Sequence, residues 1–121
     1  MLTAIPDFPS SYSWIVDRHL VGFAPFTQLQ PWFFIEKKSQ FYLMDRFQNY
    51  SELNGIAFAR RQDNDLLACY QITTAQPLKK IVVVNGWTAS GFDVVCEHAS
   101  IWDWLKSSID DVANWSGNRE K

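Results

Sequence analysis

The segment IAFARRQDNDLLACYQI, residues 56–72, decides the fold. Ile56 and Phe58 alternate with alanines, which predicts a half-buried strand over 56–60. Gln62-Asp63-Asn64-Asp65 has turn chemistry, because Asn and Asp bond their own backbone and tolerate left-handed conformations. Leu66 to Ile72 returns as a second strand and completes a hairpin. Further on, Ile81-Val-Val-Val84 is a continuous β-branched run that suits an interior strand covered on both faces. Asn85-Gly86 to Gly91 reads as a turn. Phe92, Val94 and Cys96 then alternate with Asp93 and Glu97, so a strand over 92–98 should show one face to water.

A helix closes the pattern. Ser100-Ile-Trp-Asp103 fits a short-armed capping box. Ile101, Trp104, Leu105, Ile109, Val112 and Trp115 form one apolar stripe, with Gly117 as a stop signal. Asp103, Asp110 and Asp111 are expected on the opposite, watered face. Toward the N-terminus, Pro9 with Ser10 and Ser11 offers a helix start, and Tyr12, Ile15, Val16 and His19 recur at helical spacing over 11–20. Gly22 and Pro25 end that helix. Trp-Phe-Phe-Ile (32–35) reads as a strand. Residues 40–50 fit either state and lean to helix, and 73–78 reads as a loop. The expected architecture is α+β: a twisted, mostly antiparallel sheet of about four or five strands, with helices near both chain ends and the last helix packed on the sheet.

Composition bounds the rest. The 121 residues make one domain, 1–121, large enough for a core without staples. Two cysteines are too few for a disulfide scaffold. Aromatics at 16% and a net charge of −2 exclude disorder of the bulk chain. The small negative charge also argues against a nucleic-acid partner. No apolar run approaches the ~20 residues of a membrane span, and the first twenty residues lack the pattern of a secretion signal. A cytoplasmic protein is the expectation.

Charge is uneven. Residues 63–121 hold eight acids against five bases, and five of those acids fall within 90–115. An acidic patch complements a basic partner and speeds encounter. Asp93, Glu97 and Asp111 are therefore candidate partner-binding residues, with Trp87, expected in a turn, as the apolar anchor. The polar cluster Arg60-Arg61-Gln-Asp63-Asn-Asp65 is a second candidate interface. Its plainest reading is a hairpin end whose charges pair with each other or with 85–91. A phosphate-binding arginine pair is opposed by the adjacent acids. An oxygen-ligand metal site lacks the glycine and the distal glutamate of a calcium loop.

Catalytic motifs are missing: no phosphate loop, HExxH, CxxC or nucleophile elbow occurs. His19 and His98 read as partly buried, hydrogen-bonded histidines. Cys69 and Cys96 read as small buried hydrophobes. Cys96 and His98, two apart on one strand face, form the one couple a small hydrolase could use. No cofactor or metal is expected.

Four blocks together carry a resemblance: GFAPFTQLQPWFFI (22–35), IAFARRQDNDLLACYQI (56–72), IVVVNGWTASGFDVV (81–95) and SIWDWLKSSIDDVANW (100–115). In this order they resemble bacterial members of the SUKH superfamily, the Knr/Smi-like proteins, over about residues 9–115. At the N-terminus only Pro9-x-x-Tyr12-x-x-Ile15 echoes the usual leading block. The resemblance implies an α+β fold with a central sheet and a non-enzymatic, protein-binding role. Many bacterial relatives are regarded as immunity proteins that neutralise toxins, and fungal relatives are linked to cell-wall regulation. The expected function is occlusion of a cognate toxin, such as a basic toxin domain. The alternatives are a regulatory or scaffold protein with an endogenous partner, and the Cys/His hydrolase.

Overall fold

The computed structural model of the chain describes residues 6–23, 29–46, 53–72, 78–88 and 91–117; for 87, 88, 91, 116 and 117 it describes backbone alone. Six strands form one open antiparallel sheet: β1 (Trp32–Phe34), β2 (Phe41–Tyr42), β3 (Gly55–Arg61), β4 (Leu66–Gln71), β5 (Ile81–Thr88) and β6 (Gly91–His98). The order is β1-β3-β4-β5-β6, with β2 also pairing β3. Helices α1 (Ser10–Asp17) and α3 (Ile101–Gly117) lie toward the two chain ends, and α2 (Leu43–Arg46) is a single turn.

The hairpin forms as expected, with Ile56 opposite Tyr70 and Arg60 opposite Leu67. Its first strand is not half-buried, however: Ile56 to Ala59 are all fully buried. Both sheet faces are covered there, and alanine is small enough to lie under a second layer. An irregularity between Ala57 and Ala59 adds one residue to β3, so that Phe58 and Ala59 both lie on the side of Tyr70. Gly55 serves close approach: a Cβ there would stand 3.0 Å from the Tyr70 carbonyl oxygen and 3.2 Å from Cys69 Cβ.

One face of the sheet carries α1 and α3. Its core contains Ile15, Trp32, Phe34, Phe58, Tyr70, Ile81, Val83, Ile101 and Trp104. Trp104 meets Trp32 and Phe58 edge-on at 5.4 and 5.3 Å and stacks on Phe34 at 6.1 Å. Such aromatic rings each take about 150–250 Å² out of water, so this cluster anchors α3. The other face is smaller: Ile35, Leu43, Ala57, Cys69, Val82, Val84 and Phe92, with Phe41 and Leu67 beside them. Ile81 to Val84 are buried on both faces, as the β-branched run predicts.

Several expectations are corrected. Residues 40–50 divide into β2 and α2, and 47–50 lie outside the described residues, as do 73–77 of the expected loop. The turn expected from Asn85 is strand: β5 runs on to Thr88, with an irregular register between Asn85 and Thr88 that Gly86 accommodates. In β6 the pairing shifts so that Val83 faces Cys96 while Val84 faces Val94. Val95 is the extra residue. The bulge splits the expected stripe, leaving Phe92 and Val94 on the smaller face and Cys96 on the helix-bearing one.

The helices differ in detail. Pro9, not a serine, caps α1, and the helix ends at Asp17. His19 lies beyond it, exposed, at φ 56°. Its N–H donates to the Val16 carbonyl and that of Leu20 to the Ile15 carbonyl, the two bonds of a Schellman stop. The expected place of His19 on the apolar stripe is therefore wrong. On α3, Ile109 is 54% exposed, and Ser108 takes the buried position, its hydroxyl donating to the Trp104 carbonyl at 2.7 Å.

Candidate functional site

The β3–β4 hairpin end separates its two arginines, because neighbours on a strand point to opposite faces. Arg61 faces α3. Its Nε and Nη2 donate to the two Asp63 carboxylate oxygens at 2.8 and 2.7 Å. Nη1 lies 3.6 Å from Asp111 Oδ1, and the other Asp111 oxygen accepts from Trp32 Nε1 at 2.8 Å. The hydrogen bond to Asp63 raises the Arg61 pKa against the effect of burial, and the charges of Asp63 and Asp111 add to the rise. Arg61, Asp63 and Asp111 thus form a clamp fastening α3 to β1 and β3. The expected watered position of Asp111 is corrected: it is partly buried and doubly engaged, whereas Asp103 and Asp110 are exposed.

Arg60 points to the smaller face. Its guanidinium lies 5.4 Å from the Phe33 ring centre. Arg46, at the end of α2, sits 3.9 Å over the Phe41 ring on the same face. Arg46 and Arg60, with Asn64, Asp65, Leu66, Leu67 and Gly86, line a cleft of about 290 Å³. Asn64 Oδ1 accepts from the Leu66 N–H at 3.0 Å, and the Gly86 N–H donates to the Asp65 carbonyl at 3.1 Å. The hairpin end therefore does lean on the 85–91 segment, through backbone.

The three acids singled out by sequence do not converge. Asp93 pairs opposite Asn85, which places it on the helix-bearing side with Asp111. Glu97 is opposite Val82 on the smaller face and forms an ion pair with Lys80. The Trp87 backbone belongs to β5, and its side chain lies outside the described residues.

A different aromatic surface is on view. Trp14 of α1 and Trp102 of α3 meet edge-to-face at 5.8 Å, yet stay 44% and 41% exposed. Arg18 covers the Trp14 ring at 3.7 Å. Ile109 follows two turns after Trp102 on the same outer stripe, flanked by Asp103 and Asp110. Sequence reasoning passed over Trp14 and Arg46. Trp14 did carry a signal, since it lies off the Tyr12–Ile15–Val16 stripe and a large ring off the stripe must face outward. Arg46 had none, because its neighbours had no clear period.

Cys96 and His98 do come together, with Sγ 3.6 Å from Nε2. Partial burial and the nearby Asp111 charge push the thiol pKa up, opposite to what a nucleophile needs. Cys96 is exposed, not buried as expected, and lies on the outermost strand β6. Cys69 is buried, and burial pushes its thiol well up. Among the described residues no three His, Cys, Asp or Glu side chains are grouped to hold a metal, and no helix is long and apolar enough to cross a membrane.

No family model matches the chain, and neither the curated proteins nor the solved structures contain a match.

Proposed function

We propose that the chain is a non-enzymatic, cytoplasmic protein-binding domain of the Knr/Smi-like kind, acting as an immunity protein that occludes a cognate bacterial toxin. The exposed Trp14–Trp102 pair carries this reading. Tryptophan and arginine dominate interface hot spots, and here two tryptophans and Arg18 form one contiguous surface on packed helices. Asp17, Asp103 and Asp110 around it are exposed acids, which suits a basic partner. The rigid sheet beneath keeps the ordering cost of binding low.

The experiment is binding kinetics against the toxin domain encoded beside this gene, at two salt concentrations. Trp102→Ala should speed dissociation, with a loss of about 2 kcal/mol or more. Asp103→Asn with Asp110→Asn should slow association and flatten its salt dependence. A bound toxin with unchanged kinetics in both variants would move the interface to the hairpin residues Arg60, Arg61, Asp63 and Asp65, or to Trp87 and Asp93. A chain with no neighbouring toxin gene, which instead captures a protein of its own cell, would overturn immunity in favour of a regulatory scaffold.

A further inference from the structure

Arg60, the hairpin arginine outside the clamp, shares a cleft with a residue the sequence did not point to. We propose that the cleft between Arg46 and Arg60 binds a carboxylate carried on a short aliphatic chain. The site lies on the sheet face opposite to α1 and α3, so it does not rest on the proposed toxin-binding surface.

Three observations converge. First, both guanidiniums lack an ion-pair partner among the described residues, while Arg61 beside them is fully engaged. Second, both are held over aromatic rings, Arg46 on Phe41 and Arg60 near Phe33. Stacking orients the planar fork and reduces the freedom lost when it grips a planar oxyanion. Third, they line one cleft whose other walls are Leu66, Leu67, Asn64, Gly86 and Asp65. Asn64 spends its oxygen on the Leu66 N–H, which leaves its amide NH₂ as a further donor.

Size and charge select the ligand class. About 290 Å³ is at the small end of the ~300–1,000 Å³ range of ligand sites, so it takes a side-chain-sized group. The leucines suit methylene groups, and the guanidiniums suit a carboxylate through paired N–H···O bonds. Asp65 in the same lining repels two charges concentrated on one oxyanion more than the single charge of one carboxylate head, which disfavours phosphate. The chemistry fits the side chain of a glutamate in an acidic peptide and equally a free short dicarboxylate.

The test is titration of the intact protein with glutarate, with a capped tetraglutamate peptide and with inorganic phosphate, read by the backbone amide NMR signals of Leu66, Leu67 and Gly86. Saturable shifts with glutarate or the peptide are expected, with a Kd of about 1 mM or tighter. Tighter binding of the peptide assigns the site to an acidic protein segment, and tighter binding of glutarate to a small metabolite; each supports the carboxylate site. Arg60→Gln and Arg46→Gln should each weaken binding at least tenfold, and Arg60→Lys should weaken it too, since an ammonium lacks the fork. Arg18→Gln, on the other side of the sheet, should leave it unchanged. The three positions are exposed, and an unchanged thermal midpoint of each variant would certify the fold. No saturable shift with either carboxylate, phosphate binding as tight as glutarate, or unaltered affinity in both Gln variants would overturn the proposal.

Discussion

Trp32 donates its indole N–H to Asp111 at 2.8 Å, across 79 positions of sequence. The bond joins β1 to the far half of α3, and Arg61 holds the second oxygen of the same carboxylate at 3.6 Å. Because Trp32 is only 2% exposed, its donor has little access to water as a substitute. Asp111→Ala should therefore cost about 1–3 kcal/mol, the penalty for stranding a buried donor. Asp111→Asn keeps an acceptor oxygen and loses the charge pairing, so its cost should be about 0.5–1 kcal/mol. Urea denaturation of both variants checks this; equal costs would mean that the hydrogen bond contributes nothing.

Trp104→Ala should destabilise the domain by about 3–5 kcal/mol, because a nearly inaccessible indole packed on three rings leaves a cavity that the sheet cannot close. By contrast, Asp110→Asn on the exposed side of the helix should change stability by less than about 0.5 kcal/mol. Chemical denaturation of the pair measures the contrast.

His19 occupies the left-handed position that ends α1, where a Cβ is unfavourable by about 1–2 kcal/mol. His19→Gly relieves that strain and gives back part of the gain through a more flexible unfolded chain. The net expectation is a stabilisation of about 0.5–1 kcal/mol. His19→Val, which is β-branched, should destabilise. Thermal melts of the two variants should shift in opposite directions.

Alkaline pH should weaken the fold. Burial raises the pKa of Cys69 and of Tyr70, whose hydroxyl has no partner among the described residues. Both groups lose a proton on ionisation, so above their unfolded values, about 8.5 and 10, the unfolded chain holds fewer protons than the folded one. Stability is then complete below about pH 8.5 and falls as pH rises, by up to about 1.4 kcal/mol per pH unit for each group. Cys69→Ala should remove the earlier part of that fall. Urea midpoints at about pH 7.5 and 9.5 test it, and an identical decline in both proteins would exclude Cys69 as the source.

What the sequence alone determined is the set of elements whose pattern is local. The hairpin around Gln62–Asp65, the interior run Ile81–Val84, the strand at Trp32 and the helix from Ile101 follow from side-chain period, turn residues and β-branching. Those signals act within a few residues, so they survive in one dimension. The α+β class followed from their order. The fate of individual side chains depended on register and on what lies opposite. One extra residue at Val95 reversed the facing of Cys96, because strand side chains alternate and a one-residue shift turns each to the other side. Ile109 moved outward and Asp111 inward, because the arc of α3 facing the sheet is set by Trp104 packing on Trp32, Phe34 and Phe58. The same alternation sent Arg61 to the clamp and Arg60 to the cleft, where it lines one cavity with Arg46 from a segment of no clear period. Pairings across 79 residues, or between a hairpin and a single helical turn, leave no periodic trace in the chain; only the folded sheet brings them together.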